Sequence, residues 1–144
     1  MTLRLRSVRS RDGTQIGYDC LGAGPVLVLV PGETTDPASN AEMAAALAKD
    51  FTVIDYDRRI WGESSDTLDD AVDREIEDIE AIIDAVGGSS ALYGTRSGAA
   101  LAFVAARALR GKVTRLIVGP PLVDPTADAP AERSGTGRRL AVTV

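Results

Sequence analysis

The sequence predicts an α/β fold, in which a mostly parallel sheet of about six strands has helices on both faces. Short β-branched runs alternate with helical patterns along the chain, and this order is typical of parallel strands joined by helices. Val26–Val30 is a continuous apolar run, as expected for a strand buried on both faces. The pair Asp12-Gly13 separates two alternating runs and predicts an opening antiparallel hairpin.

Each element has its own local signal. Residues 3–8 and 15–21 alternate in polarity, and this pattern predicts the two strands of the hairpin. The capping box Ser39-Asn40-Ala41-Glu42 predicts the start of a short helix that ends near residue 48. Apolar residues recur at helical spacing through 69–86. The remaining predicted elements are a strand at 51–56, a strand at 91–94, a helix at 98–109 and a strand at 113–118.

The composition changes after Pro120-Pro121. We predict one α/β domain over residues 1–123, a mobile linker over 124–137 that is rich in Pro, Ala, Asp, Ser and Gly, and a possible terminal strand over 138–144. This last segment could add to its own sheet or to the sheet of a partner.

The charge and the apolar runs exclude several classes of partner. A net charge of −5 over 144 residues argues against nucleic-acid binding. The longest apolar run is too short to span a bilayer, and the first residues do not resemble a signal peptide. The single Cys20 excludes an internal disulfide and fits a reducing compartment. We therefore expect a cytoplasmic protein with no nucleic-acid and no membrane partner.

The sequence contains no histidine. Histidine is the commonest general base near neutral pH and the commonest metal ligand. The stretch Gly94-x-x-x-Gly98 also lacks the second glycine of a dinucleotide-binding turn. We therefore predict no metal site and no cofactor.

Four stretches of the sequence share the order and spacing of a known fold. They are RDGTQIGY at 11–18, VLVLVPG at 26–32, DYDRRIWGES at 55–64 and YGTRSGAA at 93–100. Together they resemble the amino-terminal half of the α/β-hydrolase fold superfamily over residues 7–123. The resemblance implies an opening hairpin, an oxyanion-hole loop after the third strand, an Asp-Arg-Arg turn and a nucleophile elbow, in that order.

The elbow departs from the family pattern at its centre. The family has Gly-x-Ser-x-Gly, in which a sharp turn raises the serine above the sheet. Here Gly94 and Gly98 keep the frame, but Arg96 stands at the nucleophile position and Ser97 follows one residue late. The resemblance gives the position of Ser97 a backbone N–H role in the oxyanion hole. Pro31 stands where many members have histidine, and Ile60 replaces a glycine of the Asp-Arg-Arg turn.

The family's acid and histidine follow later strands, and this chain ends after the sixth. Asp124 could match a less usual acid position, but the chain offers no histidine for it to orient. A guanidinium such as that of Arg96 neither attacks a carbonyl nor accepts a proton, since its pKa lies above about 12. A serine triad requires a nucleophile, a base and an orienting acid in mutual reach. We therefore predict no triad hydrolysis by this chain alone, name no catalytic residue, and leave open whether it is an enzyme.

The elbow nevertheless predicts a small positive corner. Arg96 stands at the start of a helix, beside the backbone N–H groups of Ser97 and Gly98, which we expect to be free, and helix N-termini bind anions. The expected binding residues for a small anion or carboxylate are Gly32, Glu33, Thr34, Trp61, Thr95, Arg96 and Ser97. In the alternative, Arg96 pairs internally with Glu33 or Asp57 and binds nothing. Asp57-Arg58-Arg59 is expected to be a structural turn whose charges tie neighbouring loops together.

Several functions stay open at this point. The first is a pseudoenzyme that binds a small molecule or a protein partner. The second is a non-hydrolytic enzyme of cyclase, isomerase or lyase type in bacterial biosynthesis, with Arg96 stabilising negative charge and Glu33 or Asp57 as base. The third is a hydrolase to which another chain supplies the histidine, and the last is a gene product without activity.

Half of the family's fold leaves apolar surface uncovered. The edge of the strand at 113–118 would lie open, and one face of the sheet would carry a single short helix. Open apolar edges and faces aggregate or form interfaces. We therefore predict self-association, most simply as a homodimer.

Overall fold

The computed structural model describes residues 5–32, 37–59, 68–119 and 140–142, which form seven strands and three helices. The strands are β1 (Arg6–Arg9), β2 (Gln15–Leu21), β3 (Val26–Val30), β4 (Thr52–Tyr56), β5 (Ser90–Gly94), β6 (Val113–Val118) and β7 (Leu140–Val142). The helices are α1 (Pro37–Leu47), α2 (Leu68–Ala85) and α3 (Ser97–Ala108). The predicted sheet of about six strands, with an extra carboxyl-terminal strand, is confirmed.

The strands lie in the order β1-β2-β4-β3-β5-β6-β7. β3, β4, β5 and β6 are parallel to one another, whereas β1, β2 and β7 run antiparallel to their neighbours. The chain passes from β3 to β4 on one side of β3 and then crosses to β5 on its other side. The strand order therefore reverses between β3 and β5, which makes the carboxyl ends of these two strands the topological switch point of the sheet.

The sheet separates two apolar cores, as a three-layer sandwich requires. Side chains of β3 alternate between them: Val28 packs on the side of α2 and α3, and Leu27 packs on the side of α1. Ile79 and Ile83 of α2 complete the larger core and are fully buried. Each such aliphatic side chain contributes about 1.5–3 kcal/mol on burial, so the parallel centre of the sheet holds the fold together.

The start of α1 differs from the prediction. The helix begins at Pro37, so Ser39 lies inside its first turn and not at the predicted cap. Proline is favoured at the first helical position because its fixed φ suits the helix and its missing N–H costs nothing there. Asn40 has a different role: its buried side-chain amide donates to the Asp55 carboxylate on β4 at 2.5 Å and ties the helix to the sheet.

The edge of β6 is not open, which corrects the expectation from the sequence. β7 pairs antiparallel with β6, with Val118 opposite Leu140 and Leu116 opposite Val142. The terminal segment therefore extends its own sheet. The predicted linker at 124–137 lies outside the described residues, and so do residues 138, 139, 143 and 144. Self-association stays a prediction, but it can no longer be argued from an open edge of β6.

Deleting residues 138–144 should make the protein prone to aggregation. The deletion removes β7 and exposes the backbone donors and acceptors of β6 along an apolar strand. We expect the soluble yield to fall and static light scattering to rise at micromolar concentration, whereas the full chain stays clear. Unchanged solubility of the shortened chain would contradict the pairing of β7 with β6.

Within the described ranges, no helix has the length and apolar character needed to cross a membrane.

Candidate functional site

The candidate site lies at the topological switch point. β5 ends at Gly94 and α3 begins at Ser97, so only Thr95 and Arg96 lie between the strand and the helix. Gly94 pairs with Val30, the last residue of β3, so the turn lies beside the loop that follows β3. Ligands of open α/β sheets bind in the crevice at this point of the fold.

Two glycines allow α3 to start directly against the strand ends. A Cβ on Gly98 would lie 2.6 Å from the carbonyl oxygen of Pro31 and closer still to that of Val30. A Cβ on Gly94 would lie 2.7 Å from the Cα of Ala99. These atoms of Val30, Pro31 and Ala99 belong to the backbone and cannot move aside as a flexible side chain would, so both positions require glycine for close approach.

Arg96 has the strained backbone that this turn demands. Its φ is 56° and its ψ is −128°, and it is the sole non-glycine residue with positive φ in the described part of the chain. Such a conformation costs about 1–3 kcal/mol and persists where the surroundings impose it. The side chain is exposed. The elbow geometry is therefore kept while an arginine occupies its apex.

The guanidinium of Arg96 forms no hydrogen bond or ion pair with the residues that the structure describes. The described residues therefore give no support to the alternative in which Arg96 pairs with Asp57. Glu33, the other suggested partner, lies outside the described residues.

The backbone donors of the turn correct one expectation. The N–H of Gly98 donates to the carbonyl of Thr95 at 2.8 Å, so it is not free for an anion. The N–H of Thr95 donates to Val30 at 3.3 Å, and that of Ala99 donates to Arg96 at 3.1 Å. In a tight turn the first N–H groups of the helix lie within reach of carbonyls of the same turn. The sequence pattern does not show that these hydrogen bonds form.

The structure brings together four of the predicted binding residues. Gly32, the second residue after β3, is buried, Thr95 is half-buried, and Arg96 and Ser97 are exposed at the start of α3. All four lie at the adjoining ends of β3 and β5. The other predicted binding residues, Glu33, Thr34 and Trp61, lie outside the described residues.

The Asp-Arg-Arg segment after β4 ties loops to α2, as the sequence predicts. Arg58 forms a bidentate ion pair with Glu75 at 2.7 and 2.8 Å and also donates to the Pro31 carbonyl at 3.2 Å. Arg59 pairs with the buried Asp78 and, at 2.6 Å, with Asp12 in the hairpin turn. The Arg58–Glu75 and Arg59–Asp78 pairs are buried, and they connect the segment after β4 to α2.

These contacts perturb the ionisation of the groups involved. The Arg59 guanidinium, hydrogen-bonded to Asp12, holds the pKa of that carboxyl well below its usual range. Hydrogen bonding to Asp78 raises the pKa of Arg59 above its ordinary value, so this arginine stays charged.

Sequence reasoning missed Glu75 and Asp78 as partners of the two arginines. Both share a face of α2 with the buried Ile79 and Ile82. Two acids on the apolar face of an amphipathic helix are a signal of buried ion pairs, because a carboxylate is almost never fully buried unless it is paired.

Among the described residues, Tyr56 at the end of β4 is not a candidate base. Burial raises the pKa of Tyr56 above its ordinary value, so its hydroxyl stays protonated and cannot act as a base. In the part of the chain that the structure describes, no three His, Cys, Asp or Glu side chains cluster to hold a metal ion.

Solved structures provide the comparison with known proteins. An α/β hydrolase from Sphaerobacter thermophilus DSM 20745 is 49% identical over 78% of this chain and 44% of its own, with a TM-score of 0.67. A deformylase from Pseudomonas putida S16 is 30% identical over 78% of this chain and 45% of its own, with a TM-score of 0.65. A bottromycin epimerase is 34% identical over 70% of this chain and 42% of its own, with a TM-score of 0.58. No protein-family model and no curated protein sequence matches the chain.

The chain belongs to the α/β-hydrolase fold superfamily and corresponds to its amino-terminal half. It spans less than half the length of the solved structures that it matches.

Proposed function

We propose that this chain binds a small carboxylate-bearing molecule at its elbow and does not hydrolyse it. One observation supports this above all: the position that holds the nucleophile in the fold family holds Arg96, with the strained backbone of the turn intact. A guanidinium can bind an anion but can neither attack an acyl carbon nor remove a proton. The geometry that presents a side chain at the crevice is therefore kept, while the chemistry of that side chain has changed.

The surroundings of Arg96 favour an anion. Guanidinium groups bind carboxylates through two parallel hydrogen bonds. The positive end of the α3 dipole lies at the same place, and the first turn of α3 contains no acidic residue to neutralise it. Because Arg96 is exposed, water weakens the attraction between its guanidinium and a carboxylate. We expect a dissociation constant on the order of 1 mM, which corresponds to a binding free energy of about −4 kcal/mol.

Benzoate titration of ¹⁵N-labelled protein tests the proposal. We expect saturable shifts of the Arg96 and Ser97 amides and about tenfold weaker binding in the Arg96→Gln variant. Arg107→Gln is the matched control, because Arg107 is an exposed arginine in the last turn of the same helix and should leave the affinity unchanged. Shifts that do not saturate, or equal affinities in wild type and Arg96→Gln, would contradict the proposal.

The likeness to an epimerase favours one second candidate, a non-hydrolytic enzyme of isomerase type. In this candidate Arg96 stabilises the negative charge that develops when a proton leaves a carbon next to a carbonyl. The exposed Asp57, one residue after β4, is the described carboxylate proposed as the base.

Proton exchange in D₂O tests this candidate. Loss of the α-proton signal of N-acetyl-L-alanine faster than in buffer, abolished in Asp57→Asn, would support it. Exchange at the buffer rate would contradict isomerase-type activity on N-acetyl-L-alanine and would favour binding without reaction.

A further inference from the structure

Arg58 connects α2 to the loop that forms one side of the candidate site. Its side chain is 11% exposed, and its guanidinium forms the bidentate pair with Glu75, whose side chain is 7% exposed. Its remaining terminal nitrogen, Nη1, donates to the Pro31 carbonyl oxygen at 3.2 Å. The same side chain therefore contacts both α2 and the first residue after β3.

The Pro31 carbonyl is held from a second direction as well. The backbone of Gly98 approaches it so closely that a Cβ there would lie 2.6 Å from the Pro31 oxygen. The peptide between Pro31 and Gly32 thus lies against the first turn of α3 and is also hydrogen-bonded to Arg58.

Fixing this carbonyl also fixes the N–H of the next residue. A peptide unit is planar, and in its trans form the C=O and N–H bonds point in opposite directions. The N–H of Gly32 therefore turns with the Pro31 carbonyl, and Gly32 is one of the predicted anion-binding residues. Lys could not reproduce this arrangement, because its ammonium lacks the planar fork that reaches a carboxylate and a carbonyl together.

We propose that Arg58, oriented by Glu75, is a positioning residue that sets the direction of the Gly32 N–H for anion binding at the elbow. This inference rests on the proposed carboxylate-binding function. Arg58 acts through the Pro31–Gly32 peptide, and contact between Arg58 and the ligand is not required.

The neighbouring arginine provides a matched control. Arg59 also forms a buried ion pair with α2, through Asp78, and has 9% of its side chain exposed. The hydrogen bonds described for Arg59 go to Asp78 on α2 and to Asp12 in the hairpin turn. Arg59→Lys should therefore lower stability as Arg58→Lys does, without the effect on Gly32.

The test compares Arg58→Lys with Arg59→Lys by benzoate titration and by amide hydrogen exchange. For Arg58→Lys we expect benzoate binding about tenfold weaker than in wild type. We also expect amide hydrogen exchange to accelerate, relative to wild type, more at Gly32 than at Leu92, which lies buried at the centre of β5. For Arg59→Lys we expect unchanged affinity and no selective change at Gly32. Should Arg58→Lys not fold, Glu75→Gln allows the same comparison.

Two results would overturn the inference. One is exchange that accelerates equally at Gly32 and Leu92, which would show a role in stability alone. The other is unchanged affinity and unchanged Gly32 exchange in folded Arg58→Lys. If wild type does not bind benzoate, the proposed function fails for that ligand, while the exchange at Gly32 still decides whether Arg58 positions the loop.

Discussion

Replacing Gly98 with alanine should destabilise the protein by about 3 kcal/mol and abolish anion binding at the elbow. The added Cβ would lie 2.6 Å from the Pro31 carbonyl oxygen and nearer to that of Val30. Both atoms belong to backbone at the end of a central strand, so α3 must move away from the sheet. That movement would also release the strained turn at Arg96. Urea denaturation followed by circular dichroism measures the loss of stability.

Gly111→Ala is the matched control for this substitution. Gly111 is exposed after α3, and a Cβ there meets nothing within 4 Å. Alanine should leave stability unchanged or raise it by about 0.4–1 kcal/mol, because the unfolded chain loses freedom. Equal effects of the two substitutions would contradict the close contact between α3 and the end of β3.

Arg59→Ala should have a comparable effect, about 3–5 kcal/mol of lost stability. The substitution leaves the carboxylate of Asp78, whose side chain is 2% exposed, without its guanidinium partner. A buried charge with no compensating group is strongly unfavourable. Thermal and urea unfolding monitored by circular dichroism measure the loss.

Two further variants separate buried charge from general damage. The double variant Arg59→Ala with Asp78→Ala should be more stable than Arg59→Ala alone, because it removes the orphaned carboxylate. Arg11→Ala removes an arginine that is 70% exposed and should change stability by less than about 1 kcal/mol. A double variant that is less stable than the single one would show that the Arg59–Asp78 pair is not the source of the effect.

Much of the fold could be predicted because its signals are local. The continuous run Val26–Val30 and the segment Val113–Val118 are observed as predicted strands, and the helical spacing after residue 68 matches α2. The start of α1 was displaced because Pro37 is itself a good first residue for a helix. The pairing of β7 with β6 could not be predicted from the sequence, because a terminal strand could join its own sheet or that of a partner equally well.

The candidate site shows the same division between local and long-range information. The glycine spacing of the turn predicted the elbow, and the positive φ of Arg96 agrees with it. The use of the Gly98 N–H by Thr95 and the link from Arg58 to Pro31 depend on how separate segments pack together. No pattern within a single element contains that information.

Whether the apex of the elbow has lost its acyl chemistry is tested most directly by p-nitrophenyl acetate hydrolysis with the pure 144-residue chain. Arg96 stands where an alkoxide would attack, and the sequence contains no histidine to activate a serine. We therefore expect both wild type and Arg96→Ser to release p-nitrophenol at the buffer rate. Saturable release by wild type, with an acetyl group mapped to Ser97 by mass spectrometry, would contradict this expectation.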